Sequence, residues 1–303
     1  MQTQFNELTD AQWLIISPFF NLWRKRKHDL RIIFNAILWI NRTGAQWRNI
    51  GKQYPYWQIV YYYFRVWTKL GIIDKINFEL VKFERLNQGK SVEMSANTID
   101  SQSIKIAPFI PDSKGIDGAK KVNGQKRHII TDTLGLIIAV MVTAANTHDG
   151  AAGCSLFNHA LKHVKNKLKN TKCIFADHPY GGKFKELMAK NDIILEIAAK
   201  PESAKGFVPV KIRWVVERSF GWLNFFRRLS KDFERKVEHS ESMILLAQIQ
   251  IILNRLVHNQ LRHLGAYFFL LHSYQLLGSN HLSTSQNQCL LKAFFDLFLP
   301  EGF

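Results

Sequence analysis

Apolar residues recur every three to four positions over the first ninety residues, and every second position, or in short unbroken runs, after that. Leu30, Ile33, Phe34, Ile37, Leu38 and Ile40 keep helical spacing, and Gly44 closes the run. Ahead of them Leu8-Thr9-Asp10-Ala11-Gln12-Trp13 supplies cap residues for a helix ending near Pro18. Trp57 to Leu70 predicts an aromatic helix stopped by Gly71. Short helices with tight Gly or Pro turns suit a helix-turn-helix-like module. They suit a plain helical bundle as well, and the pattern alone does not choose.

Past Gln88-Gly89-Lys90 the pattern predicts strands over Glu93–Asp100, Lys126–Asp132, Leu136–Ala144, Lys172–Asp177 and Ile193–Ala198. Helices are expected over Gly150–Lys165, Gly182–Lys190, about Lys211–Arg228, and Ser240–Leu256. This order implies an α/β unit, a mixed sheet flanked by helices. The chain thus divides into a helical region (1–90), an α/β region (91–257) and a tail (258–303) rich in Leu, Phe, Ser, Asn and Gln.

Charge changes the picture next. The chain has 41 Lys and Arg against 24 Asp and Glu, a formal net charge of +17. The tail is neutral, with Arg262 and Lys292 against Asp296 and Glu301, so the excess lies in residues 1–257. Such an excess attracts polyanions, nucleic acid foremost. No basic amphipathic helix, signal-peptide layout or long apolar run is present, so a membrane is not expected and a cytoplasmic, nucleoid-associated setting is. Cys154, Cys173 and Cys289 give neither a zinc pair nor a disulfide framework.

Three acids stand out against this background. Asp100 and Asp177 sit at the polar ends of short strand-like runs, where adjacent strand ends would bring them together. Glu217 lies in the Arg-flanked segment Arg213-Trp214-Val215-Val216-Glu217-Arg218. Carboxylates suit Mg²⁺ or Mn²⁺, hard cations that take oxygen ligands. A pair of such ions about 4 Å apart serves in-line displacement at phosphorus. A lone strand-end Asp is more often a turn or cap residue. For Glu217, a helix-surface ion pair with Arg213 and a metal-ligand role stand even on composition.

Lys120, Lys121, Lys126, Arg127 and His128 form a dense basic patch. They read as phosphate contacts or as lysines guarding a hairpin edge, with backbone contact favoured. Arg227, Arg228 and Lys231 repeat the situation after the Glu217 helix. Asp149 reads as the cap of the helix that follows it, and His178 as a loop histidine.

These residues carry a resemblance to the bacterial insertion-sequence transposases of the group numbered four and five. Arg42-Thr43-Gly44-Ala45-Gln46-Trp47-Arg48 and Tyr61-Tyr62-Tyr63-Phe64-x-x-Trp67 resemble that family's N-terminal domain. Asp100-Ser101-Gln102-Ser103-Ile104-Lys105, Gly115-x-Asp117-Gly118-Ala119-Lys120-Lys121, Gly124-x-Lys126-Arg127-His128-Ile129 and Ala176-Asp177 resemble its catalytic strands. Arg213 to Phe220 and Arg227 to Asp232 resemble the third acid motif. The resemblance implies an RNase-H-like fold, with Asp100, Asp177 and Glu217 as Mg²⁺ or Mn²⁺ ligands. It also implies cleavage of double-stranded DNA at terminal inverted repeats, strand transfer to target DNA, and a homo-oligomer on DNA. Arg42, Arg48, Lys120, Lys121, Lys126, Arg127, Arg213, Arg218, Arg227 and Arg228 are the expected DNA contacts. A copy that only binds DNA and a related metal-dependent nuclease are the alternatives. The chain departs from the family pattern at His178-Pro179, at Val210 in place of Tyr, at Asn224 in place of a basic residue, and in its tail.

Overall fold

In α8 (Val237–His258) apolar residues fall on several faces of the helix, because it packs against both the N-terminal helices and the sheet. The computed structural model describes residues 5–20, 25–110, 114–162, 167–197 and 213–258. The tail beyond residue 258 lies outside them, as do Arg24, Lys165, Ala198, Val210 and Lys211.

α1 (Asp10–Ile16) starts on a capping box: Thr9 Oγ1 accepts the Gln12 N–H, and Gln12 Oε1 accepts the Thr9 N–H. α2 (Leu30–Thr43) is capped by Asp29 and ends at Gly44, whose φ of 73° is a left-handed conformation suited to glycine. α3 (Trp57–Lys69) and α4 (Ile72–Asn87) complete the helical region. α8 ties these helices to the sheet. Asn41 Nδ2 donates to the Met243 carbonyl at 3.0 Å, and Gln12 Nε2 to Asn254 Oδ1 at 2.9 Å. Gln248 bridges further in, donating to Asn77 Oδ1 and accepting the Ile137 N–H. Helices and sheet therefore share one apolar core.

The sheet has β1 (Ala96–Lys105) at its centre. β3 (Val122–Asp132) runs antiparallel to it on one side, and β4 (Ile137–Ala144) antiparallel to β3. β5 (Cys173–Ala176) runs parallel to β1 on the other side, and β6 (Ile194–Ile197) parallel to β5. A short β2 (Gly115–Asp117) makes a hairpin with the start of β3. α5 (Asp149–Lys162), α6 (Lys183–Lys190) and α7 (Arg213–Leu223) pack on this frame. The result is an RNase-H-like mixed sheet preceded by an all-helical region.

The structure departs from the expected pattern at β1, β2 and the start of α5. β1 does not end at Asp100 but continues to Lys105, because Ser101 to Lys105 pair with His128 to Gly124. β2 was not expected at all, since three residues are too few for a period to register. Asp149 is not the cap but the first residue of α5; the His148 carbonyl accepts the Ala152 N–H instead.

Candidate metal and nucleic-acid site

Asp100 and Asp177 are placed by strand register. The last β1–β5 pair is Thr98 with Phe175, so each acid lies two residues further on in its own strand direction. Asp177 follows the end of β5 but keeps extended backbone, φ −85° and ψ 166°. Neighbouring strands lie about 4.8 Å apart and residues two apart share a face. The register therefore presents both carboxylates on one side of the sheet, where β5 ends and β1 continues. Each is oriented by the residue after it: Asp100 Oδ1 accepts the Ser101 N–H at 2.7 Å, and Asp177 Oδ1 accepts the His178 N–H at 2.9 Å.

The His178-Pro179 departure is accommodated without breaking this. His178–Tyr180 form a single 3₁₀ turn capped by Asp177, with the proline in its first turn, where no N–H is needed. The turn drives Tyr180 inward until it is 1% exposed, against Phe184 and against Gly153, where a Cβ would come within 3.0 Å of the ring. Burial pushes the Tyr180 phenol well above its ordinary pKa, and the charges of Asp100, Asp149 and Asp177 push it further. The phenol thus lies within electrostatic reach of Asp100 and Asp177 alike. In the sequence Tyr180 stands out only through the family resemblance, where Tyr180-Gly181-Gly182 follows Ala176-Asp177 in the second acid motif.

Glu217 arrives on α7, which packs on β1. Val216 and Phe220 are buried and Glu217 between them is half-buried. α7 is fixed to the β3–β4 turn: Ser219 Oγ donates to the Gly135 carbonyl at 2.6 Å and Arg218 Nη2 to the Leu134 carbonyl at 2.9 Å. Among the described residues no three His, Cys, Asp or Glu side chains cluster tightly enough to hold a metal ion. The structure brings Asp100 and Asp177 to one place and carries Glu217 toward the same sheet on a helix. Two oxygen-donor side chains on adjacent strands fit a hard divalent cation.

The predicted basic contacts divide sharply. Arg48, Lys120, Lys121 and Arg227 are exposed. Lys120 and Lys121 form the tip of the β2–β3 hairpin, where Asp117 Oδ1 accepts the Ala119 and Lys120 N–H groups. Arg127, by contrast, is 2% exposed and donates to the Leu229 carbonyl at 3.0 Å. Burial lowers its guanidinium pKa to about 10, opposed by Asp232. Lys126 is also inside, 3.1 Å from Asp149 and 3.9 Å from Asp117, and Asp149 accepts the Ser101 hydroxyl at 2.9 Å. Burial depresses His128 to about 4, so it is neutral at ordinary pH. Arg228 is paired with Glu234 at 2.7 Å and donates to the Ala45 carbonyl. Arg42 donates to the Phe225 carbonyl and lies over the Phe226 ring. Arg218 lies between Trp214 and Trp222, 4.6 and 4.9 Å from their ring centres. Arg213 opens α7, and its side chain is outside the described set.

No helix among the described residues is long and apolar enough to cross a membrane. Residues 93–253 match the family described as "Transposase DDE domain", and residues 8–77 the one described as "Putative transposase of IS4/5 family". A curated relative, "Putative transposase for insertion sequence element IS402" from Burkholderia cepacia, is 31% identical over 137 residues. That match covers 44% of this chain and 64% of the relative, so the chain spans a little under two thirds of its length.

Proposed function

The chain belongs to the DDE transposase family, and from that premise we propose that it cuts DNA at the ends of an insertion sequence and joins the freed 3′-hydroxyl to target DNA. The observation that supports this most is the placement of Asp100 and Asp177 two residues beyond one register pair. Asp100, Asp177 and Glu217 would hold Mg²⁺ or Mn²⁺. When bound, the metal supplies a Lewis acid for the phosphodiester and a more acidic water.

In the first step the oxygen of water bonds to phosphorus at the element end, and the P–O3′ bond breaks. The departing 3′-oxygen takes up a proton. In the second, that 3′-hydroxyl bonds to a target phosphorus and expels the target strand's own 3′-oxygen, which receives the proton. The backbone N–H groups of Ser101 and His178 hold the two carboxylates in orientation, and the packing of α7 on the Gly135 turn holds Glu217. Lys120 and Lys121 would contact phosphates at a distance. Lys105 pairs with Gly124 at the hairpin base, five residues along β1 from Asp100. At about 3.3 Å per residue that is roughly 17 Å, about five base-pair steps of duplex. Arg48 and Arg227 are the other exposed contacts proposed. Assembly of more than one copy on DNA belongs to the same reading.

A duplex carrying element ends tests this directly. Joined products with Mg²⁺ are expected; cutting without joining would make the chain a nuclease, and binding without cutting a decayed copy.

A further inference from the structure

A recess of about 520 Å³ opens between the last turns of α3 and the start of α8. Tyr62, Arg65 and Lys69 line it from α3, and Lys236, Glu238 and His239 from α8 and the residue before it. The α3 residues converge because positions three, four and seven apart share one helix face. The lining residues come from α3, α8 and the residue before it, whereas the Asp100–Asp177 edge is built by β1 and β5.

Its charge is unbalanced. Arg65, Lys69 and Lys236 are all exposed at its walls, with Glu238 the single carboxylate among the lining residues. Glu238 lies 3.6 Å from Lys236, with the two side chains 51% and 60% exposed. A pair so open to solvent is worth at most about 1 kcal/mol and does not neutralise the cluster. Arg65 and Lys69 repel each other at i,i+4 spacing on α3. His239, edge-on to Tyr61 and packed on Phe64, is held below its ordinary pKa by burial, with Lys236 and Arg65 adding to that and Glu238 opposing it. Three cations gathered around a concave surface, with a phenol on the rim, are the donor set that phosphate oxygens accept from.

We propose that this recess is a phosphodiester clamp, a contact for the DNA backbone outside the reacting edge. It rests on the reading of the chain as a DNA-acting enzyme and adds a second surface to it. The clamp reads no bases, so it should serve end-bearing and unrelated duplexes alike.

The test is equilibrium binding of a labelled duplex over a range of salt. Arg65→Gln/Lys236→Gln should bind about tenfold more weakly, with a slope of log K against log salt shallower by about 0.9–1.8. A Lys185→Gln/Lys190→Gln variant on α6, with the same charge change, should keep the original slope. Arg65→Lys/Lys236→Arg should keep it too, which separates lost charge from lost folding. An unchanged slope in Arg65→Gln/Lys236→Gln overturns the clamp, and so does an equal change in the α6 variant. If the Gln pair alters inorganic phosphate binding but not duplex binding, the recess is a free-anion site and the DNA assignment fails. In the same series Asp100→Asn should lose cleavage and keep the slope. Retained cleavage there contradicts the proposed chemistry while leaving the clamp standing, whereas no duplex binding by the unmodified chain overturns both.

Discussion

Asp100 and Asp177 are held alike: each carboxylate accepts the N–H of the next residue, and each lies two residues past the Thr98–Phe175 pair. One strand continues beyond this point and the other turns away through His178–Tyr180. That divergence opens the sheet where the two acids stand.

Gly135, in the β3–β4 turn, seats the helix that carries Glu217. Its φ is +80°, and a Cβ there would meet Ser219 Oγ at 2.8 Å and the Val215 carbonyl at 3.1 Å. Gly135→Ala should cost about 1–3 kcal/mol through backbone strain and displacement of α7. Cleavage should fall more than DNA affinity does. Denaturant titration and paired cleavage and gel-shift assays check both halves.

Arg85 and Asp132 form a buried ion pair at 2.5 Å, with side chains 7% and 0% exposed. Asp132 also accepts the Leu134 and Leu136 N–H groups, so it builds the turn that seats α7. Arg85→Met leaves that carboxylate buried without its cation and should destabilise the fold by about 3–5 kcal/mol. Replacing both partners with apolar residues of similar volume should cost less in the pair itself, but the turn would lose its acceptor. Urea unfolding midpoints of the single and double variants measure the difference.

Much of this architecture was legible in the sequence. The apolar spacing of α2 and α3 and the glycines after them marked real helices, and the order of strands and helices marked a mixed sheet. Register was not legible, because it depends on which strands become neighbours. Ser101, Gln102 and Ser103 fall beyond the expected strand end at Asp100, whereas they belong to a central strand in which Ser101 donates to Asp149 and Ser103 to Asp117. Lys126, Arg127 and His128 looked like surface charge for the same reason: a strand paired on both sides and covered on both faces buries them. Arg228 carried its own warning in Glu234, the acid six residues on that neutralises it. The three acids stand out from the residues alone, whereas Glu217 stays even between an ion pair and a metal ligand until the family resemblance is added.

Glu241 makes stability depend on pH. Its carboxyl is pushed from 4.5 up to about 7, chiefly by burial, with Glu238 and Asp74 adding and the Val142 N–H opposing. Between these values the folded chain retains a proton that the unfolded chain has lost. Stability contributed by this group is therefore present below about pH 4.5 and declines as pH rises toward 7. Glu241→Gln keeps an acceptor for Val142 and should remove that decline, gaining about 1–3 kcal/mol at pH 8 relative to pH 5. Unfolding midpoints at the two pH values check it.

Arg48 is exposed, 5.6 Å above the Trp57 ring, and its guanidinium is available to a phosphate. Arg48→Gln should leave the melting temperature nearly unchanged and lower the salt slope of duplex binding by about 0.9. Arg228→Gln should do the opposite, lowering stability because Glu234 is left buried and unpaired. Thermal melts and salt-dependent gel shifts on both variants separate surface from structural arginine.

In the proposed reaction Asp100 and Asp177 act together on a metal at the DNA backbone. Asp100→Asn keeps the side chain's size and its acceptor for Ser101 while removing the charge. Mg²⁺-dependent cleavage of an end-bearing duplex, measured beside gel-shift affinity for the same duplex, is the most direct test. Cleavage should drop to background while binding stays within about 0.7 kcal/mol of the unmodified chain. Undiminished cleavage by Asp100→Asn would contradict the account.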